Sequence, residues 1–185
     1  MSKIILASQS PRRKQLLSML NIPFDVVVAD IDEKIDDNND LVKEIEKLSF
    51  QKANSVYQNN KDAIVIGSDT IVKINDKVLG KPKSYEQAKQ MLQALSNNTH
   101  EVVTGVTIIK DKKAETFSEI AKVTFYPLSE EEIDDYIKTN EPMDKAGAYA
   151  IQGIGAKFVK SIDGDFYTIM GLPVGELYHR LQKYL

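Results

Sequence analysis

Hydrophobic and polar positions change their spacing along the chain, and each change marks a predicted element. Continuous or alternating apolar residues are typical of strands, whereas apolar residues three or four positions apart are typical of amphipathic helices. The predicted strands are residues 3–7, 24–29, 63–74, 100–109, 116–125 and 156–162. The predicted helices are residues 11–20, 41–57, 85–95, 129–138 and 174–184. Two helix starts carry capping signals: Ser10 followed by a proline, and Ser129 with Glu132 three positions later.

Turn signals in the middle of the chain predict two hairpins. The segment "IVKINDKVL" (71–79) has Asn75 and Asp76 between apolar flanks, and residues 110–113 form a polar turn in the next apolar region. Strands alternate with helices early and hairpins follow, which predicts an α/β protein with one mixed β-sheet and flanking helices. The 185 residues are expected to form a single domain, 1–185, with two lobes around a central cleft as the alternative. The acidic run "DIDEKIDDNND" is predicted to be a loop before a helix.

Composition narrows the classes of function. Hydrophobic residues make up 42% and charged residues 28% of the chain, as in an ordinary globular protein. The formal net charge of −3 gives no global attraction to nucleic acid or lipid, so recognition of phosphate has to come from a local cluster. The absence of cysteine excludes disulfides and thiolate chemistry, and no apolar run reaches the roughly 18 residues of a membrane span. We therefore expect a cytoplasmic protein without nucleic-acid or membrane partners.

Arg12 and Arg13 lie in the first turn of the helix predicted after Ser10. This end of a helix is already positive, and its third position, here Arg13, usually favours glutamate or glutamine. Two guanidinium groups and free N–H groups at one helix start would bind a phosphate well. The alternative is a solvated pair of arginines, or an ion pair with a nearby carboxylate.

Lys52 and Asp69 interrupt apolar patterns. Lys52 falls in the core-facing stripe of helix 41–57, from which it either extends to water or reaches an anion in a cleft. Asp69, followed by Thr70, breaks the strand run "AIVIGSDTIVKI", where an ionised carboxylate is expensive to bury unless it is paired or bound to metal. Asp69 is thus a candidate general base or metal ligand, with the alternative that it caps a bend after Gly67.

Lys81 and Glu33 add a further cation and a further carboxylate. Lys81 stands in a predicted turn, between a glycine and a proline in "LGKPKS". The alternative is an ordinary surface lysine in a turn. The segment is not a P-loop, because the glycine spacing of that motif is absent. Glu33 lies in the acidic run. Basic groups around one or two carboxylates are the arrangement expected for a polyphosphate bound with Mg²⁺ or Mn²⁺. His100 and His179 lack the spacing of metal ligands and are predicted to be structural.

Five short strings carry a resemblance to a known family. "LASQSPRRKQLL", "GSDTIV", "GKP", "EPMDKAGAYAIQGIGAKFV" and "GLPV" occur in this order and together extend over residues 4–175. Because it contains these five strings in this order, the chain resembles the Maf family of nucleoside triphosphate pyrophosphatases. The resemblance implies a hydrolase that cleaves a nucleoside triphosphate between its α- and β-phosphates and needs a divalent cation. It also implies a homodimer with an elongated, Maf/ITPase-like α/β fold.

The resemblance extends to a subgroup of the family. Arg12, Thr70 and Gln152 are similar to the residues of the subgroup that acts on dTTP and UTP. The alternatives are other or modified nucleotides such as 7-methyl-GTP, and a nucleotide-sensing regulator of cell division. One departure is the segment "GDFYTIMGLP", with Asp165 and Thr168 where the family often has a serine-tyrosine pair and an asparagine.

The resemblance also assigns roles to the candidate residues. Asp69 would accept a proton from the attacking water and, together with Glu33, hold the metal. The residues implied in substrate binding are Ser8, Arg12, Arg13, Lys52, Thr70, Lys81 and Gln152. Gly153 and Gly155, beside Gln152, would let a base approach the backbone closely.

Overall fold

The computed structural model describes residues 3–33, 35, 40–75 and 77–185. Its α-helices are α1 Pro11–Ser18, α2 Leu41–Tyr57, α3 Tyr85–Leu95, α4 Glu130–Lys138, α5 Phe166–Met170 and α6 Val174–Leu181. Its strands are β1 Ile4–Leu6, β2 Asp25–Val26, β3 Ile64–Ile74, β4 Lys77–Leu79, β5 Thr99–Lys110, β6 Lys113–Phe125 and β7 Val159–Asp163. Short 3₁₀ helices are formed by Glu141–Asp144, Ala146–Ala148 and Ile154–Phe158.

The strands form one mixed sheet in the order β2-β1-β3-β5-β6-β7, and β4 pairs with β3 in addition. β1 runs parallel to β2 and β3, whereas the pairs β3–β4 and β6–β7 are antiparallel. The register of β1 and β3 sets buried residues opposite each other, for example Ile5 and Val65. The predicted fold class, an α/β protein with a mixed sheet and flanking helices, is confirmed. Among the described residues, no helix combines the length and the apolar character that crossing a membrane requires.

The two predicted hairpins are present. β3 pairs with β4 after Asn75, whose φ is 46°, while Asp76 of the predicted turn lies outside the described residues. β5 and β6 are joined through Asp111 and Lys112, which have φ values of 49° and 64°, as a type I′ turn requires. In the predicted acidic loop, residues 34 and 36–39 likewise lie outside the described residues.

Both predicted helix caps are confirmed. Ser10 Oγ accepts a hydrogen bond from Arg13 N at 3.4 Å, with proline at the first helical position. Ser129 and Glu132 form the reciprocal capping box at the start of α4.

Short elements account for the differences from the predicted pattern. The predicted strand 156–162 is confirmed from Val159, where β7 begins, whereas residues 156–158 end a 3₁₀ helix. The N–H groups of Ile154 and Gly155 at the start of this helix donate to the Glu141 carboxylate. The unpredicted helix α5 follows Asp165, whose carboxylate accepts hydrogen bonds from Thr168 N at 2.6 Å and Thr168 Oγ1 at 2.8 Å. The departure from the family pattern at these two positions is therefore a helix cap.

The chain divides into two compact units. The first contains the described residues of Met1–Thr70, Thr104–Glu119 and Gly171–Leu185, and the second contains Ile71–Val103 and Ile120–Met170. Strands β3, β5 and β6 each contribute residues to both units. The single domain expected over 1–185 stays a prediction.

In the first unit, glycines of the sheet bring helix α2 unusually close to β3 and β5. A Cβ atom at Gly67 would overlap the carbonyl oxygen of Ser49 and lie 2.6 Å from Ala53 N. A Cβ atom at Gly105 would lie 2.8 Å from the carbonyl oxygen of Ile45. No side chain fits at either position, so the backbone of α2 rests directly on the sheet.

In the second unit, a cluster of aromatic side chains surrounds His100. The His100 ring meets Phe125 and Tyr149 edge to face, with centroids 5.1 and 5.4 Å away. His100 Nε2 lies 2.8 Å from the Tyr149 hydroxyl, and within the part of the chain that the structure describes Nδ1 has no hydrogen-bond partner. Burial lowers the pKa of His100 from 6.5 to about 4. His100 is thus a core residue, in keeping with its predicted structural role.

Substituting Gly67 tests the contact between helix and sheet. We expect Gly67→Ala to lower the free energy of unfolding by about 1–3 kcal/mol or more, because the added methyl group has to push α2 away from β3. Gly175→Ala in α6 of the same unit is the matched control, since a Cβ atom there meets nothing within 4 Å. Urea unfolding followed by circular dichroism measures both variants, and equal stabilities would contradict the steric explanation.

Protonation of His100 should destabilise the fold in mildly acidic solution. The unfolded chain binds this proton below about pH 6.5 and the folded chain only below about pH 4, so the free energy of unfolding falls as the pH drops through this window. The full effect is about 3 kcal/mol. His100→Gln should remove that part of the pH dependence, as measured by urea unfolding between these pH values. His179→Gln is the control, and an unchanged slope in His100→Gln would contradict the prediction.

Candidate active site

Asp69 and Lys52 form the centre of the candidate site in the first unit. Asp69 lies within β3, and its side chain is 13% exposed. Lys52 of α2, whose side chain is 9% exposed, donates a hydrogen bond from Nζ to Asp69 Oδ1 at 2.9 Å. Lys52 therefore reaches an anion rather than extending to water. The alternative of a bend after Gly67 is wrong, because β3 continues as a strand from Ile64 to Ile74.

A second carboxylate shares the Lys52 ammonium group. Glu33 Oε1 lies 2.9 Å from Lys52 Nζ, and the Glu33 side chain is half exposed. One cation thus bridges two carboxylates, one largely buried and one more exposed. These three groups together are negative, and a further cation is needed to balance them. Arg13 supplies such a cation.

Arg13 is buried and held by protein acceptors in several directions. Its Nε donates to the carbonyl oxygen of Gly171 at 2.9 Å, and its terminal nitrogens donate to Ser8 Oγ at 3.4 Å and to Thr70 Oγ1 at 3.0 Å. One terminal nitrogen also lies 3.7 Å from Asp69 Oδ1. Burial lowers the pKa of Arg13 from its ordinary value, and the negative charge of Asp69 partly offsets this effect. For Arg13, the alternative of a solvated surface residue is wrong.

The two arginines of α1 have different surroundings. Successive helical residues point about 100° apart, so Arg12 cannot share the position of Arg13. Arg12 is half-buried, whereas Arg13 is buried. Within the described ranges, three of the five N–H groups of Arg13 donate to protein oxygens, and the other two can donate to a ligand. Arg13 is consequently anchored in place by protein acceptors, and phosphate binding by both arginines stays a prediction.

Two hydroxyl groups complete the surroundings of Arg13. Ser8 is buried, and its Oγ also accepts a hydrogen bond from Ser10 N at 3.2 Å. Thr70 Oγ1 lies 2.9 Å from Thr104 Oγ1 on the neighbouring strand β5. The first unit thus brings together a set of the predicted residues, namely Ser8, Arg13, Glu33, Lys52, Asp69 and Thr70.

Lys81 and Gln152 belong to the second unit. Lys81 is exposed after strand β4, and Gln152 is exposed in the loop before the 3₁₀ helix Ile154–Phe158. Their assignment to the same site as Asp69 stays a prediction.

Sequence reasoning missed Gly171, which holds Arg13, and Ser68, which donates to the same carbonyl oxygen of Gly171. The carbonyl oxygen of Gly171 accepts a hydrogen bond from Ser68 Oγ at 3.0 Å as well as the one from Arg13. Gly171 has a φ of 111°, and a Cβ atom there would lie 3.3 Å from both Arg13 Nε and Thr70 Oγ1. The available signals were the strings "GSDT" and "GLP", which were quoted for the resemblance without a role for Ser68 or Gly171.

The glycines beside Gln152 leave room for protein side chains that pack against the loop. A Cβ atom at Gly153 would overlap the Glu141 carboxylate, and a Cβ atom at Gly155 would lie 2.8 Å from the Tyr136 hydroxyl. The space on this side of both glycines is therefore filled by protein side chains. Close approach of a base to this backbone from another direction stays a prediction.

The donor set of the candidate metal site is small. Among the described residues, no group of three or more histidine, cysteine, aspartate or glutamate side chains is arranged to hold a metal ion. Glu33 and Asp69 nevertheless approach one cation, the Lys52 ammonium group. Two carboxylates fit a hard cation such as Mg²⁺, which usually takes its remaining ligands from water and substrate phosphates.

Comparison with known proteins places this chain in a family. The family model described as "Maf-like protein" matches residues 3–184. The relatives named "dTTP/UTP pyrophosphatase" from Bacillus cereus and Bacillus cytotoxicus are each 50% identical, and each match covers 100% of this chain and 96% of the relative. A solved HAM1 protein from Coxiella burnetii is 13% identical with a TM-score of 0.56, covering 99% of this chain and 100% of that one, and shares the fold. The chain belongs to the Maf family.

Proposed function

We propose that this protein hydrolyses dTTP and UTP between the α- and β-phosphates, with a nucleoside monophosphate and pyrophosphate as products. The observation that carries the proposal is the cluster in which Lys52 and Arg13 both approach Oδ1 of one largely buried carboxylate, Asp69. Two relatives that are half identical over the full length of this chain and bear the name dTTP/UTP pyrophosphatase support the choice of substrate.

Asp69 is proposed as the general base. Within the described residues, Lys52 and Arg13 both approach Oδ1, which leaves Oδ2 as the oxygen that takes a proton from water. The water oxygen bonds to the α-phosphorus, and the bond from this phosphorus to the oxygen that bridges to the β-phosphate breaks. Pyrophosphate leaves with the electron pair of that bond, and the proton on Asp69 passes to solvent.

The cations are proposed to bind the phosphates. Lys52 acts as a point charge, and Arg13 offers its two remaining N–H groups to phosphate oxygens, where charge develops on the leaving pyrophosphate. Arg12 and Lys81 would add positive charge, with Ser8 and Thr70 as hydroxyl donors. Gln152 would read the pyrimidine, because an amide offers both a donor and an acceptor to the base edge.

Glu33 and Asp69 are the residues proposed to hold Mg²⁺ or Mn²⁺. When bound, the cation would neutralise negative charge on the polyphosphate. We extend the proposal to a homodimer, which the family resemblance implies, and to a location in the cytoplasm. Light scattering during gel filtration tests the dimer.

A substrate panel tests the proposed reaction. Pyrophosphate release is measured with dTTP, UTP, the purine triphosphates and 7-methyl-GTP, over a titration of Mg²⁺ and Mn²⁺ and with a chelator. We expect turnover of dTTP and UTP that the chelator abolishes. Strong turnover of 7-methyl-GTP with none of dTTP or UTP would overturn the substrate assignment. Nucleotide binding without any turnover would instead favour a nucleotide sensor.

Asp69→Asn tests the general base. We expect kcat to fall about 10²- to 10⁴-fold, with a much smaller change in KM, because the base acts in the transition state. Asp62→Asn, an exposed aspartate of the same unit, is the matched control. Steady-state kinetics with dTTP measures both variants. A kcat of Asp69→Asn close to that of the control would contradict the role.

Arg13→Lys and Arg12→Lys test the difference between the two arginines. Lysine keeps the charge of Arg13 but cannot reproduce its three directed hydrogen bonds, so the charge is no longer held in one place. We expect kcat/KM to fall about 10- to 100-fold for Arg13→Lys and less for Arg12→Lys. Equal losses in the two variants, measured with the same substrate, would show that the anchoring of Arg13 does not matter for activity.

A further inference from the structure

The carboxylate of Glu141, in the second unit, accepts three hydrogen bonds. Its Oε2 accepts from the Tyr136 hydroxyl at 2.7 Å and from Gly155 N at 3.0 Å, and its Oε1 accepts from Ile154 N at 2.9 Å. Glu141 is half-buried and lies in the 3₁₀ helix Glu141–Asp144. The general base and the phosphate-binding residues proposed above do not include it, so its role is not explained by the chemistry at Asp69.

These hydrogen bonds converge on the loop that carries Gln152. Ile154 and Gly155 follow Gln152 by two and three positions. On the other side of Gln152, Ala150 N donates to the Tyr136 hydroxyl at 3.1 Å. The Glu141 carboxylate and the Tyr136 hydroxyl therefore hold the backbone on both sides of an exposed glutamine.

The loop is shaped to fit this carboxylate. Any side chain at Gly153 would overlap Glu141, and any side chain at Gly155 would meet the Tyr136 hydroxyl. Gly153 N also donates to the carbonyl oxygen of Ala150 at 3.3 Å, which closes the turn around Gln152. The sequence of the loop is thus matched to Glu141 at Gly153 and to Tyr136 at Gly155.

The Glu141 side chain is itself firmly held, and its carboxylate is charged. Burial raises the pKa of Glu141, but the hydrogen bonds from Tyr136, Ile154 and Gly155 outweigh this effect and leave the pKa below its ordinary value. An ionised carboxylate only accepts hydrogen bonds, so it suits three donors. Lys145 Nζ donates to the backbone carbonyl oxygen of Glu141 at 2.8 Å and fixes the start of the side chain.

We propose that Glu141 is a positioning residue for Gln152, which sets the place and direction of the amide that reads the pyrimidine base. The inference rests on the proposed function, in which Gln152 contacts the base. Without the carboxylate, two backbone N–H groups lose their acceptor and the turn around Gln152 shifts. A shift of about 1 Å in a recognition group is enough to weaken its contact with a substrate strongly.

Glu141→Gln tests the proposal with a side chain of nearly the same size. Its amide presents a donor where the carboxylate accepts from Gly155 or Ile154, so the loop cannot keep all three hydrogen bonds. We expect the KM for dTTP and UTP to rise about 10-fold, with a smaller change in kcat. Inorganic tripolyphosphate has no base, so its inhibition constant should stay the same. Glu131→Gln on the exposed face of α4 is the matched control.

A double substitution separates positioning from a general effect on the fold. If Glu141 acts through Gln152, Glu141→Gln should raise the KM no further when Gln152→Ala is already present. Additive losses, or an equally raised inhibition constant for tripolyphosphate together with a lower melting temperature, would overturn the inference. Tyr136→Phe keeps the ring and removes only the hydroxyl, and it should raise the KM in the same direction if Glu141→Gln fails to fold.

The same set of variants separates this inference from the proposed function. If Gln152→Ala leaves the KM for dTTP unchanged, base recognition by Gln152 fails and the inference fails with it. If Gln152→Ala raises the KM but Glu141→Gln and Tyr136→Phe do not, only the positioning role is overturned.

Discussion

The close seating of helix α2 on strands β3 and β5 is the constraint on which the candidate site depends. Gly67 and Gly105 carry no Cβ atom, and the backbone of the helix occupies the space where one would be. The backbone of Ala53, next to Lys52, touches Gly67, which lies two positions before Asp69. The 2.9 Å contact between the ammonium group and the carboxylate follows from this packing, because both side chains start from backbones that lie close together.

The same packing makes the burial of charge tolerable. Lys52 and Arg13 are cations with little exposure to water, and each would be destabilising without a partner. Asp69 lies within reach of both, and Glu33 adds a more exposed carboxylate. A polyphosphate would compete for cations that are already in position. Little side-chain ordering would be needed on binding, which is the general advantage of preorganised sites.

Sequence patterns identified the charged residues that lie within apolar segments. Lys52 and Asp69 stand out because a charge in an apolar stripe or strand has to be compensated, and the structure pairs them with each other. The role of Gly171 was not predictable, because its contribution is a backbone carbonyl oxygen that any residue possesses. The role of Glu141 was not predictable for a related reason. It lies among short 3₁₀ turns, where no periodic pattern distinguishes a carboxylate that binds backbone from one that faces water.

The hydrogen bond from Arg13 to Gly171 joins residues 158 positions apart in the chain. During synthesis the guanidinium group emerges early, and its carbonyl acceptor is made only near the end. The nascent polypeptide therefore cannot complete the environment of Arg13 until it has been translated through the "GLP" segment. A chain that stops before residue 171 would therefore lack the acceptor of the Arg13 Nε–H group.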